Sequence, residues 1–137
     1  MSLKILTVFD CSQAVEWVSQ TLVSHELTQV GTIMAAMQIL QKDKVDVILV
    51  QLHLQNESLF DLLRSIRRND FYRSMSFICC ETSRPTREPH IEAEFLEKSC
   101  LLYGATKVLP IDRFYCEELE HEINETVSGL GSRNGTK

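Results

Sequence analysis

Val45-Asp46-Val47-Ile48-Leu49-Val50-Gln51-Leu52-His53-Leu54 is a nearly unbroken apolar run rich in β-branched residues. It falls well short of the roughly 20 residues that a membrane-crossing helix needs. A strand wetted on one face alternates apolar and polar residues, so a run that is apolar at nearly every position predicts a strand covered on both faces. Helical periodicity flanks it, from Ile33 to Gln41 before and from Leu59 to Arg68 after. Strands alternating with helices in this way predict an α/β domain, a parallel sheet with helices on both faces. Chemistry in such sheets collects at the carboxyl ends of the strands. Here that end carries Gln51.

The same alternation extends in both directions. Lys4 to Phe9 reads as a first strand running into Asp10-Cys11-Ser12, a helix start that Asp10 or Ser12 can cap. The helix that follows carries Val15, Val18 and Leu22 as its apolar stripe, with Trp17 off the stripe and expected to be partly buried at the helix edge. Leu27 to Val30 is a second strand, and Gly31-Thr32 opens a helix with Ile33, Ala36, Met37 and Leu40 on one face. Beyond the central strand lie a polar loop, Gln55-Asn56-Glu57-Ser58, and a helix with Leu59, Leu62, Leu63 and Ile66 inward, stopped by Asn69-Asp70. Phe77 to Cys80 is a fourth strand, followed by a long loop, 82–89, in which Pro85 and Pro89 exclude a regular helix interior. A fourth helix is expected from about His90 to Tyr103, with Phe95, Ser99 and Leu102 along its inner side and Gly104 as a left-handed cap. Lys107 to Pro110 is a fifth strand, and Phe114 to Val127 a fifth helix with Cys116, Leu119, Ile123 and Val127 inward. Residues 129–137 have the composition of a flexible tail or linker.

The totals bound the function. A chain of 137 residues is expected to form one domain. Its 14 basic and 19 acidic residues give a net charge of -5 and are mixed along the chain, which argues against a non-specific nucleic-acid binder. With neither a signal-like N-terminus nor a long apolar segment, the chain is expected in the cytoplasm and off the membrane. The 5 cysteines, Cys11, Cys79, Cys80, Cys100 and Cys116, include no CxxC pair, the usage of buried reduced thiols.

Five βα units of this size and order resemble the receiver domain of two-component response regulators, over Leu3 to Val127. The echoes are Ile5-Leu6-Thr7-Val8 running into an acidic corner, Asp46-Val47-Ile48-Leu49-Val50 before the reaction position, Phe60-Asp61-Leu62-Leu63-Arg64-Ser65-Ile66-Arg67 after it, and Gly104-Ala105 leading into the fifth strand. The resemblance implies a flavodoxin-like (βα)5 doubly wound parallel sheet in the order 2-1-3-4-5, with residues 1–128 as the receiver-like domain and 129–137 as its tail. It also implies a reaction site made of an acidic pair that holds magnesium, a phosphoryl-accepting aspartate, a Thr or Ser, and a Lys. Carboxylates bind the hard cation, and cation and Lys neutralise the phosphoryl charge while a carboxylate oxygen attacks phosphorus.

On this chain the acceptor position falls on Gln51, and the acidic pair on Phe9 and Asp10. The switch position falls on Glu81, or on Thr82 if the register slips by one, and the Lys position on Ile111. These residues outline a degenerate phosphoacceptor pocket with no catalytic residue, metal or cofactor expected, and Asp10 is read first as a helix cap. The partner surface implied by the family is that of the fourth helix, fifth strand and fifth helix, with Tyr103, Lys107, Arg113 and Tyr115 as its exposed contributors; two copies could also pair there.

Other constellations read as structural. Glu117, His121 and Glu125 share a helix face that reads as solvated, and Arg64, Arg67 and Arg68 with Arg73, Arg84 and Arg87 read as surface charge. His53, which alternation sets on the same side as Gln51, lacks an accompanying nucleophile. The expected function is therefore a pseudo-receiver, a non-enzymatic docking module in two-component or related phosphorelay signal transduction that acts through protein-protein interaction. The alternatives are a phosphoryl-accepting response regulator using Asp10 or another pocket acid, and a small flavodoxin-like ligand binder. Asp10-Cys11-Ser12-Gln13 in place of a Gly-rich phosphate loop counts against the last.

Overall fold

Strands β1 (Lys4–Val8), β2 (Glu26–Val30), β3 (Val47–Gln51), β4 (Ser76–Glu81) and β5 (Lys107–Pro110) pair in parallel throughout, in the order β2-β1-β3-β4-β5. The computed structural model describes residues 3–51, 59–69, 75–81, 98–110, 119 and 121–127, without the side chains of 59, 81 and 110. Helices α1 (Ser12–Thr21), α2 (Ile33–Lys42) and α3 (Leu59–Arg68) alternate with the strands. Residues 98–102 and 121–127 are helical and are called α4 and α5. The expected tail at 129–137 and the loop 82–89 lie outside the described residues.

β3 is central, and all of its residues are buried. It is shorter than the apolar run predicted. Pairing with β1 starts at Ile5 and Val47, while Asp46 ties the strand entrances together: its N–H donates to the Lys4 carbonyl at 2.9 Å and its Oδ2 accepts from the Lys4 N–H at 2.9 Å. Residues 52–54 lie outside the described part.

Strand alternation divides the interior in two. Leu6, Val8, Ile48, Val50, Phe77 and Cys79 face Ala36 and Leu40 of α2, Leu62, Leu63 and Ile66 of α3, and Cys100 of α4. Ile5, Leu49, Ile78 and Cys80 face Ala14 and Val18 of α1, Leu22, and Leu119 and Ile123. The described members of the stripes expected on α1, α2, α3 and α5 lie on these faces, and Trp17 packs partly buried at the edge of the second cluster; the side chain of Leu59 lies outside the described part. Cys79 and Cys80 point to opposite faces, both fully buried. A hydrogen bond with Cys100, then burial, push the Cys79 thiol far above the ordinary range, which keeps it protonated. Cys116 lies outside the described residues.

Three local expectations are corrected. First, α1 has Cys11 at its N-cap with no side-chain cap bond, so neither Asp10 nor Ser12 holds the cap position. At α2 the expected cap forms, Thr32 accepting from the Ala35 N–H at 3.1 Å.

Second, Leu102 is 85% exposed, and the inward residue of α4 is Cys100. Two residues rotate a helix by about 200°, so assigning Leu102 inward put the apolar face on the wrong side. The left-handed end does form: Gly104 has φ 116°, its N–H donates to the Leu101 carbonyl at 3.1 Å, and the Ala105 N–H reaches the Cys100 carbonyl at 2.9 Å.

Third, Arg67 is not part of a solvated cluster. Its Nε donates to the Gly104 carbonyl at 2.8 Å, one terminal nitrogen to the Met75 carbonyl at 3.1 Å, and the other to Thr106 Oγ1 at 3.4 Å. It joins the end of α3 to the entrance of β4 and the turn into β5. Arg64 and Arg68 are exposed, Arg64 pairing with Asp61 at 2.6 Å, while Arg73, Arg84 and Arg87 lie outside the described residues.

Candidate functional site at the carboxyl end of the third strand

β1 and β3 are neighbours in register, Val8 beside Val50, so their next residues emerge together at the carboxyl edge. Phe9 continues inward and is 1% exposed, held by its N–H on the Val30 carbonyl at 3.1 Å. Asp10 follows at the surface, and Cys11 starts α1. Gln51, the last residue of β3, is only 4% exposed.

Burying a carboxamide requires partners for both of its ends. Gln51 Oε1 accepts from the backbone N–H groups of Asp10 at 3.0 Å and Cys11 at 3.2 Å. Its Nε2 donates to Asp10 Oδ1 at 2.6 Å, a short bond because the acceptor is charged. One side chain thus holds Asp10 and Cys11, the last two residues of the β1-to-α1 turn, and the Asp10 carboxylate also benefits from the positive end of α1.

A second polar contact braces the same turn from β2. Gln29 Nε2 donates to the Phe9 carbonyl at 2.9 Å and to the Val30 carbonyl at 2.7 Å, and Gln29 Oε1 accepts from the Thr7 hydroxyl at 2.5 Å. Sequence reading passed over Thr7 and Gln29. Their signal was a hydroxyl inside an otherwise apolar first strand, with an amide on the strand predicted beside it.

Of the residues expected in the pocket, the structure brings Phe9, Asp10 and Gln51 together. β4 ends at Glu81, one residue beyond Cys80, the partner of Gln51, and Glu81 pairs with Pro110; the Glu81 side chain, Thr82 and Ile111 lie outside the described part. On the expected partner surface, Tyr103 is 46% exposed with its ring 5.1 Å from that of Phe60. Lys107 is engaged, its Nζ 2.8 Å from Glu122 Oε1. Arg113 and Tyr115 fall outside the description, as do Glu117 and His53. His121 and Glu125 are exposed and 3.7 Å apart.

A cleft of about 120 Å³ between α2 and α3 is lined by Met37, Leu40, Gln41, Ser65, Ile66 and Asn69. It lies toward the carboxyl ends of those helices, and hence toward the amino ends of the strands. It is smaller than ordinary ligand sites of roughly 300 Å³ or more.

No family model matches the chain, and no curated protein sequence does. Solved structures do. The chain is similar to the signal receiver domain of a putative LuxO repressor protein from Vibrio parahaemolyticus, with a TM-score of 0.76 at 18% identity over 100% of this chain and 98% of that one. Similar too are the chemotaxis response regulator CheY4 of Vibrio cholerae, with a TM-score of 0.73 at 22% identity over 92% and 99% of the two chains, and the manganese-bound response regulator Rcp1, with a TM-score of 0.70 at 19% identity over 90% and 92%. With the strand order above, they define the class: this chain has the flavodoxin-like fold of response-regulator receiver domains.

A receiver fold implies a magnesium site at this edge, and the donor set among the described residues does not fit one. Asp10 contributes a single carboxylate, already bonded to Gln51, and the buried neighbour before it is a phenyl ring. Gln51 aims an N–H at that carboxylate and commits its oxygen to two backbone amides, where a cation wants free oxygen ligands. Among the described residues no group of three or more His, Cys, Asp or Glu could hold a metal ion.

Proposed function

We propose that this chain is a pseudo-receiver: a signalling module of receiver fold that acts through protein-protein contact and does not accept a phosphoryl group at the end of β3. The observation that carries the reading is Gln51 itself, buried at 4% exposure where the fold would present a nucleophilic carboxylate, with its oxygen occupied by two N–H donors. An amide oxygen is neutral and a poor nucleophile, and here its lone pairs are already engaged.

The domain spans residues 1–128 and residues 129–137 serve as a tail or linker. The module is non-enzymatic and cytoplasmic, and contacts neither nucleic acid nor membrane. No described helix is long and apolar enough to cross a bilayer. Its protein partner, or a second copy, docks on the face formed by α4, β5 and α5. Supporting this choice, Leu101, Leu102 and Tyr103 stand 44%, 85% and 46% exposed at the end of α4.

The test is incubation with acetyl phosphate and magnesium followed by intact mass spectrometry. No gain of phosphoryl mass is expected. Addition of one phosphoryl group, on Asp10 or any other pocket acid, would overturn the reading.

A further inference from the structure

We infer that the Gln51 carboxamide replaces the divalent cation of a receiver pocket, so that the pocket is closed and neutralised by hydrogen bonds within the chain and takes up no metal ion. The inference rests on the reading of the chain as a receiver-fold module that accepts no phosphoryl group, and it concerns how that pocket is held.

An aspartate and an acceptor carboxylate facing each other across a strand end repel, and a cation between them offsets the repulsion. In this chain the facing group is an amide, which is neutral and presents unlike ends. Nε2–H meets Asp10 Oδ1 at 2.6 Å, supplying the partial positive charge that a cation would bring. Oε1 meets the Asp10 and Cys11 N–H groups at 3.0 and 3.2 Å, using the acceptor capacity that a ligand oxygen would turn toward a metal. A cation entering this space would meet the positive end of the amide and break a charge-assisted hydrogen bond to reach the carboxylate. Phe9, at 1% exposure, puts a ring where a second carboxylate would be needed.

The inference predicts that the metal requirement can be restored by a change that keeps the shape. Gln51→Glu is nearly isosteric: it preserves the acceptor for the two backbone amides while exchanging the N–H donor for a second negative charge beside Asp10. Thermal unfolding is followed in EDTA and in millimolar magnesium or manganese(II), against ionic-strength controls at neutral pH. Wild type is expected to unfold at the same temperature in both. Gln51→Glu is expected to unfold below wild type in EDTA and to rise by about 2 °C or more, saturably, with either metal. The double variant Asp10→Asn/Gln51→Glu is expected to lose that response.

A saturable rise in wild type overturns the inference, as does a Gln51→Glu variant that matches wild type in EDTA and ignores metal. Should Gln51→Glu not fold, manganese(II) added to isotopically labelled wild type decides: unchanged amide signals of Asp10 and Cys11 support the inference, and their selective broadening defeats it. Metal uptake without added phosphoryl mass would sink this inference alone, whereas a gain of phosphoryl mass would sink the functional reading on which it rests.

Discussion

Gln51 meets a requirement that few side chains satisfy together: it accepts from two adjacent backbone N–H groups, donates to a carboxylate, and fits where 4% exposure leaves almost no room for water. Removing it leaves those partners without their present bonds inside the pocket. Gln51→Ala is therefore expected to lower stability by about 1–3 kcal/mol, read from the urea midpoint, with α1 and its neighbouring turn the first region to lose protection in hydrogen exchange. Trp17, the sole tryptophan of the chain and packed at the edge of the α1 cluster, supplies a fluorescence signal for that region. A loss much below this range would mean that the hydrogen bonds to the turn are readily replaced by water.

At the scale of elements, the junction of α3, α4 and β5 depends on one arginine meeting one glycine. Gly104 ends α4 with φ 116°, and a Cβ there would lie 2.7 Å from Arg67 Cγ, within the side chain that bonds the Gly104 carbonyl. Gly104→Ala meets both obstacles, a disfavoured backbone conformation and a displaced Arg67. A loss of about 1–3 kcal/mol is expected in chemical denaturation, although alanine would normally stabilise by restricting the unfolded chain. Burial holds the Arg67 guanidinium below its usual pKa, and its fork of N–H donors serves three acceptors. Its position three residues from the exposed Arg64 on α3 shows how little charge alone says about exposure.

Across the whole molecule, the parallel sheet separates two apolar layers, and the cysteines follow that division. Cys79 and Cys100 lie in one layer, Cys80 in the other, and Cys11 is only partly buried at the start of α1. Reaction of a thiol requires access and a thiolate, and Cys79 is denied both, with its pKa pushed far up by its hydrogen bond to Cys100 and by burial. Native protein treated with iodoacetamide at neutral pH is expected to label Cys11 well ahead of Cys79, Cys80 and Cys100, by peptide mass spectrometry, and to label all of them together once unfolded. Early labelling of Cys79 would mean that the sheet opens locally far more readily than this packing allows.

The sequence by itself determined the elements and their order, because each signal it carries is local. The short, β-branched apolar run from Val45 to Leu54 between two helical patterns reads as a covered strand, Thr32 announces a helix start, and Gly104 announces a left-handed end. Through the resemblance to receiver domains, counting on from Asp46 also set Gln51 at the expected acceptor position and Asp10 in the expected acidic pair. Tertiary structure alone decided how the amide is used, since which oxygen meets which N–H depends on two strands being adjacent and in register, with β3 reaching one residue past the end of β1. The same holds for Leu102, turned outward, and for Arg67, drawn inward to the carbonyls of Met75 and Gly104 and the hydroxyl of Thr106. Helical spacing states which residues share a face, but only packing against a sheet selects the face that is buried.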